Sequence, residues 1–300
     1  GLVGSEMCIR DSFHTHTVCS DGNYTPEEVI EMAINKGINS LAITDHNYIH
    51  ENISRLQNKY KDIELINGCE ISTSYTTDKG KKIEVHIIAL DFDENNENFK
   101  NLIVSNHPDK KAYVENIREK LKDNCNIVIP SYDELKILYP TKHIGRMQIA
   151  DYLVKNNYAD DLDEVFDEYI GNYGKRKAFV NALDYCSYAD FDLVIRSVID
   201  AGGVPVLAHL FSYGIELSEC YSLLRRFCHV CDGKGGLEVY YLKYSDEMID
   251  TLKELAIRYN MFISTASDFH GRGNDALNNK IHEIEKQHVY HIIKTPKKLK

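Results

Sequence analysis

The chain has 300 residues, enough for one large α/β domain or for a domain that carries an insertion. Its formal net charge of −11 at pH 7 argues against a broad nucleic-acid-binding surface, because such surfaces depend on many Lys and Arg contacts to phosphates. A small anionic ligand, or a short nucleic-acid end held by metal ions, remains compatible with this charge. No apolar run reaches about 18 residues, so we predict no membrane span. The eight scattered cysteines are typical of free thiols in a reducing cytoplasm.

Residues 1–12 match none of the patterns that follow and lack the features of a secretory signal, so we interpret them as a non-native leader. Beyond them, Thr25-Pro26-Glu27-Glu28 predicts a helix start, with Thr as the N-cap and acids in the first turn. Further apolar patterns predict a strand at 41–44, a helix at 49–59 and strands at 63–71 and 83–90. This alternation predicts an α/β barrel or a doubly wound sheet, whose first part spans residues 13–91.

The alternation stops at residue 92. Residues 92–183 hold mostly helical patterns, at 97–122, 131–138, 143–156 and 162–170, and polar segments separate them. We predict that this segment is a helical insertion that supplies substrate specificity. The second part of the barrel is predicted over 184–290, with helices at 187–201, 216–230 and 245–259 and strands at 204–208, 236–240 and 261–266.

Two histidines near the start of the barrel suggest a metal site. His14 and His16 are two residues apart, so on a strand both imidazoles point to the same face. Neutral His is the commonest metal ligand, and Asp21 adds an oxygen donor in the turn that follows. The strand at 41–44 leads to Asp45 and His46 at its carboxyl end, where the catalytic residues of α/β barrels lie.

Other strand-like runs also end in, or contain, side chains that can bind a metal ion. These side chains are Glu70, His86, His209, Asp268 and His270. Such a recurrence along separate strands indicates a polynuclear metal centre.

These motifs resemble those of the PHP (polymerase and histidinol phosphatase) family. The matching segments are His14-Thr-His16, Ser20-Asp21-Gly22, Thr44-Asp45-His46, Gly68-Cys69-Glu70, His209 and Asp268-Phe-His270. The length and layout are similar to the branch that contains nucleoside 3′,5′-bisphosphate phosphatases and 5′-to-3′ exoribonucleases. The resemblance implies a distorted TIM-like (β/α)7 barrel with a mostly helical insertion.

The resemblance also implies three divalent metal ions, which could be Mn, Zn or Fe. The first would be held by His14, His16, Glu70 and Asp268, the second by Glu70, His86 and His209, and the third by Asp21, His46 and His270. Asp45 would orient an imidazole from behind. Clustered dications lower the pKa of bound water, so no protein nucleophile is required.

The implied substrate is a small phosphorylated molecule, either a nucleotide or a short RNA end. The segment from His143 to Arg146 begins a predicted helix, and the family's phosphate-binding arginine falls at a similar place. Arg146, with His143 beside it, is therefore a candidate clamp for a substrate phosphate. Lys175, in a glycine-punctuated basic loop, is a candidate for holding a second phosphate.

We therefore expect a metal-dependent phosphoesterase that cleaves the phosphoester at a nucleotide 3′ oxygen, in nucleoside 3′,5′-bisphosphates or short 5′-phosphorylated RNA. A histidinol-phosphate-type phosphomonoesterase is an alternative, and it would need only one phosphate site. Hydrolysis of a C–N bond on the same type of centre is another alternative, and a non-catalytic metal-binding module is a third.

Overall fold

A computed structural model describes residues 7–9, 11–139, 144–272, 277 and 282–284 of the chain. Its strands are β1 (Met7–Ile9), β2 (Asp11–Ser12), β3 (Ser40–Ile43), β4 (Glu64–Thr76), β5 (Lys82–Leu90), β6 (Val204–Leu207), β7 (Gly236–Tyr241), β8 (Phe262–Ala266) and β9 (His282–Ile284). Its helices are α1 (Pro26–Asn35), α2 (Ile53–Lys59), α3 (Glu97–Ser105), α4 (Lys111–Cys125), α5 (Tyr132–Leu138), α6 (Arg146–Lys155), α7 (Leu162–Val165), α8 (Phe191–Asp200), α9 (Leu217–Cys231) and α10 (Asp246–Arg258). A π-helical turn (Phe166–Ile170) continues α7, and short 3₁₀ turns lie at Ala182–Asp184 and Leu210–Ser212.

Strands β2 to β8 form a seven-stranded sheet in chain order. The first and last strands approach each other, since the Phe13 amide donates to the Thr265 carbonyl at 3.0 Å. The Thr265 hydroxyl in turn donates to the Asp11 carbonyl at 2.6 Å. These contacts make the sheet a nearly closed barrel with helices around it, which confirms the predicted α/β barrel of the PHP type.

One hairpin interrupts the parallel order of the barrel. β4 and β5 pair in antiparallel register from Gly68 opposite Leu90 to Thr76 opposite Lys82. The polar segment 73–82, which lies between the predicted strands 63–71 and 83–90, is therefore partly strand, and the turn itself is confined to the residues between Thr76 and Lys82. Polar residues are tolerated in this strand because the backbone is paired and the buried Thr73 hydroxyl donates to the Val85 carbonyl at 2.7 Å.

The barrel sheet begins earlier than the sequence predicted. Asp11 pairs with Ser40 and Ser12 pairs with Leu41, so both residues belong to the sheet although they fall within the segment interpreted as a leader. Met7–Ile9 pairs with β9 in a separate antiparallel ribbon. The assignment of 1–12 as a non-native leader stays a prediction.

The helical segment has a hydrophobic core of its own. Buried residues from Tyr113 in α4 to Tyr188, before α8, pack together in one cluster. Phe99 and Ile103 of α3 instead join the main barrel core. The boundaries predicted for the insertion, 92–183, stay a prediction, but the separately packed helices begin with α4.

The helix predicted at 97–122 is two helices, because Pro108 cannot continue α3 and the buried Asn106 side chain fixes the chain at the break. Asn106 ends α3, and its amide group donates to the Ser72 carbonyl at 2.7 Å and to Asn47 Oδ1 at 2.8 Å. Its own Oδ1 accepts from the Ala189 amide at 2.8 Å. These tertiary bonds hold three separate parts of the backbone together, and a continuous helix would place Asn106 elsewhere.

No helix in the described ranges is long and apolar enough to cross a membrane. Cys69, Cys125, Cys186, Cys220, Cys228 and Cys231 are free thiols, as predicted. Cys231 is buried in the barrel core, and Cys228 Sγ lies 3.4 Å from Met261 Sδ. The structure thus accounts for these two residues by packing.

Gly68, on β4, sits where the backbones of two strands come close together. A Cβ added there would lie 2.7 Å from the Ile43 carbonyl oxygen and 2.8 Å from Thr44 Cγ2. We predict that Gly68→Ala lowers the free energy of unfolding by about 3 kcal/mol, measured by urea denaturation, because strand β4 must move away from β3. Gly145→Ala is the control, since its added Cβ meets only Gln148 Oε1 at 4.0 Å, and it should cost less than about 1 kcal/mol. Equal losses for the two variants would contradict this reading of the strand contact.

Candidate metal centre and substrate cavity

Barrel closure places His14 and His16 at the carboxyl end of β2. Thr15, between them, points the other way, where its hydroxyl donates to the Ala42 carbonyl at 2.8 Å and its amide donates to Thr44 Oγ1 at 3.1 Å. Both imidazoles therefore face the barrel interior, with their Nε2 atoms 3.1 Å apart. The same-face arrangement expected from the spacing is present.

Glu70 lies at the centre of the cluster and is 1% exposed. Its Oε2 atom is 3.2 Å from His14 Nε2, 3.2 Å from His16 Nε2 and 3.0 Å from His46 Nδ1. Three imidazoles from two strand ends thus converge on one carboxylate oxygen.

The other oxygen of Glu70 contacts two more imidazoles. Glu70 Oε1 lies 2.7 Å from His86 Nδ1 and 3.3 Å from His209 Nε2. The antiparallel hairpin explains the contact to His86, because His86 is opposite Ser72 and is therefore a diagonal neighbour of Glu70 on the same face. Glu70 thus bridges two groups of possible ligands.

Two aspartates complete the cluster. Asp268 Oδ1 lies 3.3 Å from Nε2 of both His14 and His16. Asp21 Oδ1 lies 3.3 Å from His270 Nε2, and Asp21 Oδ2 lies 3.8 Å from His46 Nε2. All nine side chains predicted as metal ligands therefore meet in one continuous cluster.

The chemistry of this cluster fits bound cations. Among its members, His16, Asp21, His46 and His270 offer donor atoms close enough for one ion, as do His14, His16 and Glu70, and also His46, Glu70 and His86. Glu70 Oε2, His46 Nδ1 and His209 Nδ1 are buried without a well-formed hydrogen bond in the described part of the chain. Buried polar atoms are usually satisfied, so these atoms indicate positions for a ligand.

The pKa shifts within the cluster also favour bound cations. Burial by itself lowers the pKa of His14, but the carboxylates of Glu70, Glu238 and Asp268 outweigh it and hold that pKa well above its usual value. Burial would raise the pKa of Glu70, yet His14, His46 and His86 keep it well below its usual range. The carboxylates therefore demand positive charge, which protons or metal ions can supply.

Glu238, on β7, was missed by sequence reasoning. It is fully buried, its Oε1 accepts from His14 Nδ1 at 2.8 Å, and its Oε2 accepts from the His209 amide at 2.6 Å. The first bond leaves His14 Nε2 free to bind a metal ion, and the second holds His209 in an unusual left-handed conformation with φ of +25°. The signal available in the sequence was an acid inside the apolar run Gly236–Tyr241.

Asp45 contacts an imidazole, as expected. It is fully buried and accepts from the Thr17 amide at 2.8 Å, from the Thr17 and Ser20 hydroxyls, and from His50 Nε2 at 2.6 Å. The imidazole that it contacts belongs to His50 and not to a candidate ligand. Asp45 therefore fixes the loop between His16 and Asp21, and it positions both side chains through the backbone.

The cluster opens into a cavity of about 850 Å³ between the barrel and the helical segment. Arg146 lines this cavity, and its Nη1 donates to Asn172 Oδ1 at 3.1 Å. Lys175 does not line it, because its exposed Nζ pairs with Glu168 Oε1 at 2.5 Å. His143 lies outside the described residues. The cavity also has basic residues that sequence analysis did not name, which include Lys82, Lys110, Arg176, Lys243 and Arg272.

Comparison with known proteins identifies the family. The PHP domain model matches residues 12–182. The chain is 30% identical to the 5′-3′ exoribonuclease of Haemophilus influenzae, over 88% of this chain and 91% of that protein. It is 26% identical to the 3′,5′-nucleoside bisphosphate phosphatase of Chromobacterium violaceum, over 87% of each chain. The fold also matches a solved structure of an amidohydrolase from Chromobacterium violaceum, with a TM-score of 0.72, 23% identity and 93% of both chains covered.

The chain therefore belongs to the PHP domain family. It is a phosphoesterase, a hydrolase that acts on phosphoric ester bonds, with side-chain clusters able to bind metal ions.

Metal binding should depend strongly on pH. Although burial opposes it, neighbouring carboxylates raise the pKa of His16 to about 10 and that of His86 to about 9, so both imidazoles hold protons at neutral pH without metal. An incoming ion must displace these protons, so affinity rises with pH, by about tenfold per pH unit for each proton released. Calorimetric titration of manganese between about pH 6 and pH 8 measures the effect. A dissociation constant that does not change with pH would contradict it.

Removing the charge of Glu238 should weaken metal binding. Gln at this position cannot accept from both His14 Nδ1 and the His209 amide, so we predict that Glu238→Gln lowers metal affinity about 10- to 100-fold. Calorimetry with manganese measures the change. Glu219→Gln is the matched control, because Glu219 is also a buried glutamate but caps α9. If both variants bind manganese as tightly as wild type, Glu238 has no orienting role.

Proposed function

We propose that this protein hydrolyses the phosphoester at the 3′ oxygen of nucleoside 3′,5′-bisphosphates and of short 5′-phosphorylated RNA. The observation that carries the proposal is the convergence of nine imidazole and carboxylate side chains at one end of a cavity that Arg146 also lines. The names of its relatives in Haemophilus influenzae and Chromobacterium violaceum support this substrate class.

We infer a centre of three divalent ions. One ion would be held by His14, His16, Asp268 and Glu70, and a second by the other oxygen of Glu70 with His86 and His209. The third would be held by Asp21, His46 and His270. Bound there, such ions would supply an activated water molecule and neutralise charge on phosphoryl oxygens. The mixture of imidazole and carboxylate donors suits Mn, Zn or Fe.

The protein's own side chains would bind and orient the substrate. Arg146 presents a planar guanidinium to the cavity, and Asn172 holds one end of it at 3.1 Å. A phosphate held there would fix the far end of the substrate while the 3′ phosphoester lies at the cluster. The cavity volume of about 850 Å³ falls in the range of small-molecule sites, about 300–1,000 Å³.

A phosphomonoesterase of the histidinol-phosphate type is the second candidate. It requires a single phosphate site, and Lys175, one of the two residues predicted to hold substrate phosphates, lies outside the cavity.

The proposed function is tested by two assays with added manganese. One measures phosphate release from adenosine 3′,5′-bisphosphate, and the other measures nucleotide release from a 5′-phosphorylated RNA oligomer. We expect activity in both assays. The activity should be lost on chelation of metal ions and in His16→Ala, and it should be kept in His229→Ala. A third assay uses histidinol phosphate as the substrate. Activity on histidinol phosphate alone would favour the second candidate, and no activity on any of the three substrates would overturn both candidates.

Arg146→Ala should discriminate between substrates. If Arg146 binds the 5′-phosphate, the variant loses about 10- to 100-fold in kcat/KM on the bisphosphate, because charge-assisted hydrogen bonds are removed. A simple monophosphate ester such as p-nitrophenyl phosphate should be affected far less. Arg225→Ala is the control, since that exposed arginine donates to Ser222 outside the cavity. Equal losses on both substrates would remove Arg146 from this role.

A further inference from the structure

Arg272 is a buried arginine whose two terminal amino groups have no hydrogen-bond partner among the residues that the structure describes. Its side chain lines the cavity, and the residue is only 3% exposed. Neither Nη1 nor Nη2 has a hydrogen-bond partner in the described part of the chain. Arginine is almost never buried without a partner, because desolvation of an unpaired charge is costly. Nη1 and Nη2 therefore indicate that an anion binds beside them.

The guanidinium is held in place by its third nitrogen. Arg272 Nε donates to Asn23 Oδ1 at 3.0 Å, and Asn23 Nδ2 donates to the Gly271 carbonyl at 3.1 Å. The backbone of the same segment is fixed as well, since the Asn23 amide donates to the His270 carbonyl at 2.9 Å. Gly271 has φ of +72°, and a Cβ there would lie 2.4 Å from the ring of Tyr24, so this position requires glycine. This network orients Nη1 and Nη2 without using them.

Arg272 and Arg146 are held by different segments of the chain. Asn23 and Gly271 adjoin the two candidate ligands Asp21 and His270, so Arg272 is tied to that part of the cluster. Arg146 bonds to Asn172, and its surroundings include Glu84, which lies 3.2 Å from His86 Nε2. The cavity therefore offers two guanidinium groups, one near Asp21 and His270 and one near His86.

We propose that Arg272 is an anion-binding residue that contacts oxygens of the phosphoryl group undergoing hydrolysis. Its two free amino groups match the geometry of a tetrahedral oxyanion, which arginine binds through two parallel hydrogen bonds. The choice of phosphate as the anion rests on the proposed function. The site differs from the Arg146 position, which is assigned to the distal 5′-phosphate.

A guanidinium whose two terminal amino groups are unpaired makes little contribution to the free energy of unfolding. Replacing Arg272 with an apolar side chain of similar length removes the cost of desolvating the guanidinium. Among the described residues, it removes one hydrogen bond, the bond to Asn23. Arg272→Met should therefore unfold at a temperature no lower than wild type in the absence of anions. A purely structural arginine would show the opposite behaviour, a lower unfolding temperature.

The test is calorimetric titration of inorganic phosphate into the full chain after removal of metals by chelation. Arg272→Met should bind phosphate at least about tenfold more weakly than wild type, and Arg272→Lys should lie between them. Arg118→Met is the matched control, because Arg118 is partly buried but its guanidinium bonds to Ile129 and Glu115. Its phosphate affinity should stay within about twofold of wild type. Equal affinities for wild type and Arg272→Met, or no phosphate binding by wild type, would overturn the proposal.

A second variant guards against a failure of Arg272→Met to fold. Asn23 is exposed, so Asn23→Ala should fold normally, and the loss of its contact to Nε should weaken phosphate binding severalfold. An unchanged affinity in Asn23→Ala would contradict the proposed positioning of the guanidinium.

The outcome is separable from that of the proposed function. Phosphate binding that depends on Arg272, without cleavage of a 3′ phosphoester, would keep this inference and reject the proposed substrate. If the protein cleaves the 3′ phosphoester and Arg272→Met changes neither kcat/KM nor the affinity for phosphate, the proposed function stands and this inference is rejected.

Discussion

The burial of the Glu70 carboxylate is the constraint on which the rest of the site depends. A carboxylate with 1% exposure in the middle of a sheet is tolerated only when positive charge surrounds it. His14, His16 and His46 approach one oxygen, and His86 and His209 approach the other. These five imidazoles lie on or just after four strands, β2, β3, β5 and β6, so the cluster also links the two halves of the barrel that the helical segment separates in the chain.

The antiparallel hairpin of β4 and β5 gives this cluster its shape. A fully parallel barrel needs a crossover connection between neighbouring strands, whereas the hairpin places β5 directly beside β4. Its register sets His86 opposite Ser72, next to Glu70 on the same face. The same hairpin carries Glu84 and Lys82 to the cavity, where the helical segment contributes Arg146 and Arg176. Candidate substrate-binding groups from two separately packed cores therefore meet beside the candidate metal centre.

Three polar residues outside the candidate ligand set, two of them buried, support the centre. Glu238 accepts hydrogen bonds from His14 and from the His209 amide. Asp45 fixes the loop from His16 to Asp21, and Asn23 orients Arg272. Glu238 and Asp45 accept from backbone and imidazole donors that would otherwise be buried without partners, and Asn23 accepts from the Arg272 guanidinium. Their hydrogen bonds convert the fold of the barrel into a fixed arrangement of side chains, which is what a catalytic site requires.

The sequence by itself determined the barrel, most of its elements and the residues of the candidate metal centre. Period-two spacing at His14 and His16, caps such as Thr25, and donors that follow apolar runs are local signals, and local physics decides them. Only the tertiary structure decided the direction of β5, the exclusion of Lys175 from the cavity and the roles of Glu238 and Arg272. These features depend on contacts between residues far apart in the chain: Glu238 meets His14 across the barrel, and Arg272 is held by Asn23. The partner of a buried charge has no signature in the neighbouring sequence, because the closure of the sheet brings that partner from a distant part of the chain.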